Sequence, residues 1–171
     1  MRAMFLLFVA GCSAETGFDL ADAGEPIAPV LFFFVGPECP VSNFYAPEIE
    51  RLSKRGVHTV LVYPGPGVTE ETAARHAGEY RLTAPRMLDP EPSLARRFGV
   101  AKIPTAVLVD LRGVAYRGRI DDRYSPDGKR RQEPRSRDLE AAIEAVLAGR
   151  KPEMKETPVF GCPLVLKEVS R

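Results

Sequence analysis

No two cysteines of this chain stand close enough to form a C-x-x-C pair. There are three, Cys12, Cys39 and Cys162, and both histidines, His58 and His76, are distant in sequence from all of them. That spacing argues against a structural zinc site, and no metal ligands are expected. Excess charge is missing too. The 24 Lys and Arg residues against 23 Asp and Glu leave a net charge of +1, so no global field draws the chain to nucleic acid. Internal repeats are absent. The early apolar stretch, residues 3–10, is far too short to span a bilayer, which takes about 20 residues. What remains is a chain of 171 residues, long enough for one domain with a real core, with 16 prolines grouped outside its periodic segments.

The N-terminus reads as a targeting segment. Arg2 gives a minimal positive start, an apolar core follows, and Val9-Ala10-Gly11-Cys12 closes it. This run resembles the bacterial lipobox, which implies a signal peptide over 1–11 and a lipid on Cys12. The alternatives are secretion with cleavage after Ala14, or an apolar strand that is never cleaved. Lipidation would remove Arg2 and no acid, leaving the charges balanced at 23 each. Either export reading places the domain outside the cytoplasm, where cysteines can be held oxidised. The expected location is the cell envelope, lipid-anchored to the membrane, on the periplasmic side in a Gram-negative cell.

Residues 12–26 are small, acidic and weakly patterned, as suits a tether with a short strand at 17–20. The domain is expected over 27–150 and a proline-punctuated tail over 151–171. Ala28 to Val35 is a continuous apolar run, the mark of a central strand covered on both faces. Phe44, Ile49 and Leu52 form a helical stripe that ends at Gly56. Val57–Tyr63 is a second buried strand. Thr69 can cap a helix through about Tyr80. A short strand at 86–89 and a short helix at 92–98 follow. Thr105–Asp110 and Val114–Ile120 flank a turn and read as an antiparallel hairpin. A helix then runs to Leu147. Alternating β and α followed by a hairpin predicts a mixed sheet sandwiched by helices.

Cys39 follows the first strand and precedes the first helix. A thiol at a helix N-terminus faces unpaired N–H groups and the positive end of the macrodipole, which favour the thiolate. A lone cysteine is most often a small buried hydrophobe. Here Gly36-Pro37 and Pro40 set it off both strand and helix stripe, which argues for an exposed, reactive thiol.

Two motifs carry a family resemblance. Cys39-Pro40-Val41-Ser42 with Pro47, and Val100-Ala101-Lys102-Ile103-Pro104-Thr105, resemble the nucleophile motif and the cis-proline loop of thioredoxin-like proteins. The relatives are the redoxin branch, AhpC/TSA-like and TlpA-like, and the resemblance covers roughly 25–150. It implies an α/β thioredoxin-like three-layer sandwich, a mixed central sheet with helices on both faces. It implies a cis Pro104 opposite Cys39, with the Ile103 backbone free to pair with an incoming peptide and Ile103, Pro104 and Thr105 shaping the substrate groove. Partners would be protein or small-molecule thiols and disulfides, with no cofactor.

The chain departs from the family at several positions. Ser42 replaces the second cysteine, though its hydroxyl could still hydrogen-bond the thiolate. Glu38 puts a carboxylate beside the sulfur, which opposes thiolate formation. Phe33 stands where thioredoxins keep a buried carboxylate. Gly36 stands where peroxiredoxins place a Thr or Ser to hold peroxide.

Cys162, in Gly161-Cys162-Pro163, is the candidate second sulfur, either resolving Cys39 or packed as a hydrophobe. His58 and His76 read as structural. The basic stretch 117–137, interleaved with acids, reads as a salt-bridged loop. The expected function is a membrane-tethered thiol-disulfide oxidoreductase with catalytic Cys39, Ser42 and Cys162. The alternatives are a thiol peroxidase and a non-enzymatic binding module.

Overall fold

The computed structural model describes residues 29–125 and 128–164. The expected signal peptide, Cys12, the tether and the strand at 17–20 lie outside the described residues.

The apolar run forms β1 (Val30–Phe34), with Leu31, Phe33 and Phe34 fully buried. It becomes the middle strand because both of its faces need cover. β2 (His58–Pro64) pairs with it in parallel and β3 (Arg86–Asp89) pairs in parallel with β2. On the other side, β5 (Thr105–Asp110) runs antiparallel to β1, and β6 (Gly113–Gly118) antiparallel to β5. The sheet order is β3-β2-β1-β5-β6. A separate two-residue strand, β4 (Lys102–Ile103), precedes β5 and pairs with β7 (Cys162–Pro163).

Among the described residues four helices cover the sheet. They are α1 (Pro40–Ser53), α2 (Glu70–Glu79), α3 (Ser93–Arg97) and α4 (Asp138–Leu147). Thr69 caps α2 in a capping box with Thr72, satisfying two backbone donors at its start. Alternation along β1 separates the two faces. Phe32 and Phe34 both pack on Phe98, just after α3, at ring distances of 5.4 and 6.3 Å. The result is a mixed sheet with helices on both faces. No helix among the described residues is long and apolar enough to cross a membrane.

The basic stretch folds onto the body. Asp121, 1 % exposed, accepts from Tyr45 Oη at 2.7 Å and from Arg123 Nε at 2.7 Å. Arg123 also lies over the Phe44 and Tyr45 rings, 5.3 Å from each centroid. Arg119 pairs with Asp138 and Arg131 with Asp122. These guanidinium groups are therefore spent on tertiary contacts, and they fix the chain that leads into α4.

α1 and α4 are clamped by Arg51, which reaches Glu48 and Glu140 at 2.7 Å each, while Arg55 reaches Glu144 at 2.6 Å. The Arg51 guanidinium holds the Glu140 carboxyl below its ordinary value of 4.5. A carboxyl lowered in the folded state stabilises the fold above its unfolded value and loses that contribution as pH falls through the folded one. Arg51→Gln should lower the melting temperature by about 2–4 °C at pH 7, since a partly exposed pair contributes at most ~1 kcal/mol. The gap between variant and wild type should shrink as the pH drops below about 4.5. A gap that stayed constant in thermal melts from pH 7 to pH 3 would remove Glu140 from the account.

Candidate active site

Cys39 is the N-cap of α1, in extended conformation at φ −89° and ψ 108°. The preceding loop is closed by a turn bond from Cys39 N–H to the Gly36 carbonyl at 3.1 Å. Pro40 takes the first helical position, where its missing N–H costs nothing. The Cys39 sulfur receives the Ser42 backbone N–H at 3.4 Å. A free helix N–H thus points at the sulfur, as sequence reasoning required. The Ser42 hydroxyl does not serve it. Ser42 is 1 % exposed, and its Oγ accepts from the Gly36 N–H at 3.4 Å, so it ties the loop to the helix. The expected hydroxyl–thiolate contact is replaced by a backbone one, because Oγ is turned toward the loop.

Cys39 is also not exposed. It is 4 % accessible. Its cover comes from the far end of the chain. Cys39 and Cys162 are joined in a disulfide across 123 residues of sequence, with Cα atoms 6.0 Å apart. That separation lies in the ordinary range for a bridge.

The Ile103–Pro104 peptide is cis. The Ile103 carbonyl oxygen lies 3.5 Å from Cys39 Sγ, so the proline loop does face the sulfur. The Ile103 backbone is not free, however. β7 pairs antiparallel with β4, Ile103 opposite Cys162 and Lys102 opposite Pro163, and Leu164 N–H donates to the Ala101 carbonyl at 2.9 Å. The edge expected from the sequence resemblance to take an incoming peptide is filled by the protein's own chain. Thr105 is 2 % exposed, and its hydroxyl donates to the Lys102 carbonyl at 2.6 Å. It braces the proline turn from behind.

A cleft of about 530 Å³ opens beside the disulfide, lined among others by Cys39, Cys162, Ile103, Pro64, Thr72 and His76. His76 is 3 % exposed and both ring nitrogens are engaged: Nδ1 with Tyr63 Oη at 2.8 Å and Nε2 with Asn43 Oδ1 at 3.0 Å. Burial pushes the Tyr63 phenol up to about 12 and lowers His76, so Tyr63 keeps its proton and donates to a neutral imidazole. Nε2–H then donates to Asn43. The Asn43 amide in turn donates to the Pro37 carbonyl at 3.2 Å. This chain of bonds runs from the sheet to the loop before Cys39. Sequence reasoning recognised a structural histidine but not what it supports.

Gly36 lies under the Ile103 side chain, since a Cβ there would meet Ile103 Cδ1 at 2.6 Å and that tip would have to swing aside. Phe33 is fully buried in the core. Among the described residues no group of three or more His, Cys, Asp or Glu could hold a metal ion.

The segment that delivers Cys162 is anchored five residues earlier. Thr157 is 6 % exposed, and its Oγ1 bonds Tyr116 Oη at 2.6 Å and accepts from Arg119 N–H at 3.1 Å. Its own N–H donates to the Arg117 carbonyl at 3.1 Å, and Arg117 N–H donates to the Lys155 carbonyl at 3.0 Å. Gly118 permits this approach, because a Cβ there would lie 2.8 Å from the Thr157 carbonyl oxygen. No sequence signal marked Thr157, whereas Gly161-Cys162-Pro163 was visible. Thr157→Val removes one bond to the buried Tyr116 and one to the half-buried Arg119 and should cost about 1–3 kcal/mol. It should also slow reoxidation of the Cys39–Cys162 pair, read by quenched thiol labelling. Reoxidation at the wild-type rate in a destabilised variant would show that the anchor does not position Cys162.

No family model matches the chain, and no curated protein matches it. Among solved structures, a hypothetical protein from Sinorhizobium meliloti 1021 is similar at 24% identity and a TM-score of 0.70, over 84% of this chain and 81% of that one. An uncharacterised conserved protein from Geobacillus kaustophilus is similar at 24% identity and a TM-score of 0.70, over 84% and 79%. A thioredoxin-like protein solved in solution in its oxidised form is similar at 17% identity and a TM-score of 0.54, over 72% and 80%. With the mixed sheet and the cis-proline loop, these likenesses give the chain a thioredoxin-like fold.

Proposed function

We propose that this protein is a redoxin-type thiol-disulfide oxidoreductase whose redox couple is Cys39 and Cys162. The observation that carries the reading is the disulfide between these two residues, formed at a helix N-terminus beside a cis-proline loop. Partners are thiols and disulfides of proteins or small molecules.

In the reducing direction, the Cys39 thiolate attacks one sulfur of a substrate disulfide. A bond forms between Cys39 and that sulfur, and the other substrate sulfur leaves as a thiolate that takes a proton from water. The Cys162 thiolate then attacks the Cys39 sulfur. The Cys39–Cys162 bond closes and the second substrate thiolate leaves. Two electrons have passed to the substrate, and an external dithiol restores the couple. That dithiol bonds first to Cys162, because Cys39 is the better leaving group. Negative charge on Cys39 is stabilised by the Ser42 N–H and the helix dipole, and Cys39 is buried while Cys162 is half-buried. In the opposite direction a substrate dithiol takes the route of that external dithiol: one thiolate attacks the Cys162 sulfur and expels the Cys39 thiolate, and the second closes the substrate disulfide and expels the Cys162 thiolate.

Peroxide reduction is the weaker reading, because Gly36 offers no hydroxyl and Ile103 fills the space beside it. A lipid on Cys12 would tether the domain to the outer face of a membrane in the cell envelope, within reach of exported substrates.

Cys162→Ala should accumulate mixed disulfides on Cys39, and Cys39→Ala should lose them, on non-reducing gels after acid quench. Equal capture by Cys39→Ala and wild type would end the proposal. For the tether, a clickable fatty acid should label the wild-type chain and not Cys12→Ala; label retained in the variant would refute lipidation at Cys12.

A further inference from the structure

The segment 159–164 sits on the proline loop as an extended peptide would. Its cysteine is disulfide-bonded to Cys39, its backbone pairs with Ile103, and the N–H two residues after the cysteine reaches the Ala101 carbonyl. The protein therefore displays a sample of what its groove accepts. One position in that sample is sterically fixed. A Cβ on Gly161, the residue before Cys162, would run into the Ile103 carbonyl oxygen, lie 2.8 Å from the Ile103 carbonyl carbon and 3.3 Å from Pro104 Cδ. The obstacle is backbone and a proline ring, and neither can swing away as the tip of a flexible side chain can. The position after the cysteine makes no such demand, since Pro163 is exposed and sits on an edge strand.

We propose that the groove selects extended polypeptides in which glycine directly precedes the reacting cysteine, with the chain's own Gly161-Cys162 as a tethered competitor. The inference rests on the disulfide-exchange reading. An incoming segment in the same register meets the same carbonyl at the same place, so any side chain there must push the backbone off the Ile103 edge. The competitor has to leave first. It is held beyond the disulfide by a two-residue ladder and the Leu164 bond, so reduction of Cys39–Cys162 frees the edge while Thr157 keeps the arm close. Substrate and resolving thiol thus use one strand position in turn.

The probes are two synthetic hexapeptides, Val-Phe-Gly-Cys-Pro-Leu and the same peptide with alanine in place of glycine. Each is activated as a mixed disulfide with thionitrobenzoate. In Cys162→Ser protein, the Cys39 thiolate attacks the peptide sulfur, forms the Cys39–peptide disulfide and expels coloured thionitrobenzoate, which is counted. The glycine peptide should react roughly tenfold faster than the alanine one, the factor that ~1.4 kcal/mol of overpacking produces. Equal rates, with normal reactivity toward the small symmetric aromatic disulfide of the same leaving group, would overturn the selectivity and leave the exchange reading intact. No Cys39-dependent release from any of the three disulfides would overturn both. If Cys162→Ser does not fold, fully reduced wild-type protein gives the same ratio, read as free peptide thiol by mass spectrometry. In a second arm, Gly161→Ala in the full chain should make the Cys39–Cys162 disulfide reduce at a lower dithiothreitol ratio than in wild type. An unchanged ratio would also count against the proposal.

Discussion

The Ile103 peptide carries more of this site than either sulfur does. Its carbonyl oxygen lies 3.5 Å from Cys39 Sγ, and its backbone pairs with Cys162. Its side chain fills the space over Gly36, and its carbonyl leaves only glycine room at 161. Its bond to Pro104 is cis. Removing a side chain from Ile103 would therefore loosen the packing and still leave most of this geometry, because the backbone sets it. The backbone is held in turn by β5, which starts at the next residue but one and lies against the central strand β1. The positions of the two sulfurs are thus consequences of how the central sheet is packed.

A C-x-x-C protein keeps its second thiol one helical turn from the first. Here the second thiol is 123 residues away and depends on an anchor. A loop of that length would cost about 5 kcal/mol of chain entropy to close in an unfolded chain. In the folded protein most of that cost has already been met. The Thr157 contacts to Tyr116 and Arg119 leave only the arm from 158 to 161 between a fixed point and Cys162. This is effective concentration made by tertiary structure: a short arm on a rigid mount keeps Cys162 near Cys39, as the exchange proposed above requires of a resolving thiol. The Ser42 side chain meanwhile makes a supporting bond to Gly36, so under the proposed exchange chemistry the second sulfur comes from Cys162 and not from position 42.

The parts of the fold that depend on local pattern were readable from sequence. The uninterrupted apolar run of β1, the Thr69 cap and the hairpin about Gly113 each follow from residue type and spacing. The cis-proline loop was readable only through its pairing with Cys39. The parts that depend on contacts between distant segments were not. A two-residue strand containing a proline has no period to detect, so β7 could not be seen. The burial of Cys39 was missed for the same reason: its cover is supplied from residue 162. The Asn43–His76 bond joins two helices whose facing polar residues carry no signature in either one.

Phe33, where the sequence resemblance places a carboxylate, bears on where protons would travel in the exchange proposed above. With Phe33 fully buried there, β1 (Val30–Phe34) offers no base to the Cys39 thiol. Negative charge on Cys39 has to be stabilised by fixed dipoles, and the N–H of Ser42 with the α1 terminus supplies them. Dipoles of this kind stabilise an anion without accepting a proton. In the proposed exchange the proton would reach solvent along the open side of the sulfur, which is the cleft lined by Cys162 and His76. His76 is poorly placed to carry it, since both nitrogens are already engaged and burial keeps the ring neutral. Its contribution is mechanical: through Asn43 it holds the Pro37 carbonyl, and so keeps the loop that aims Cys39 at Ile103. Under the exchange proposed above, charge on Cys39 is thus held by backbone dipoles while protons pass to water.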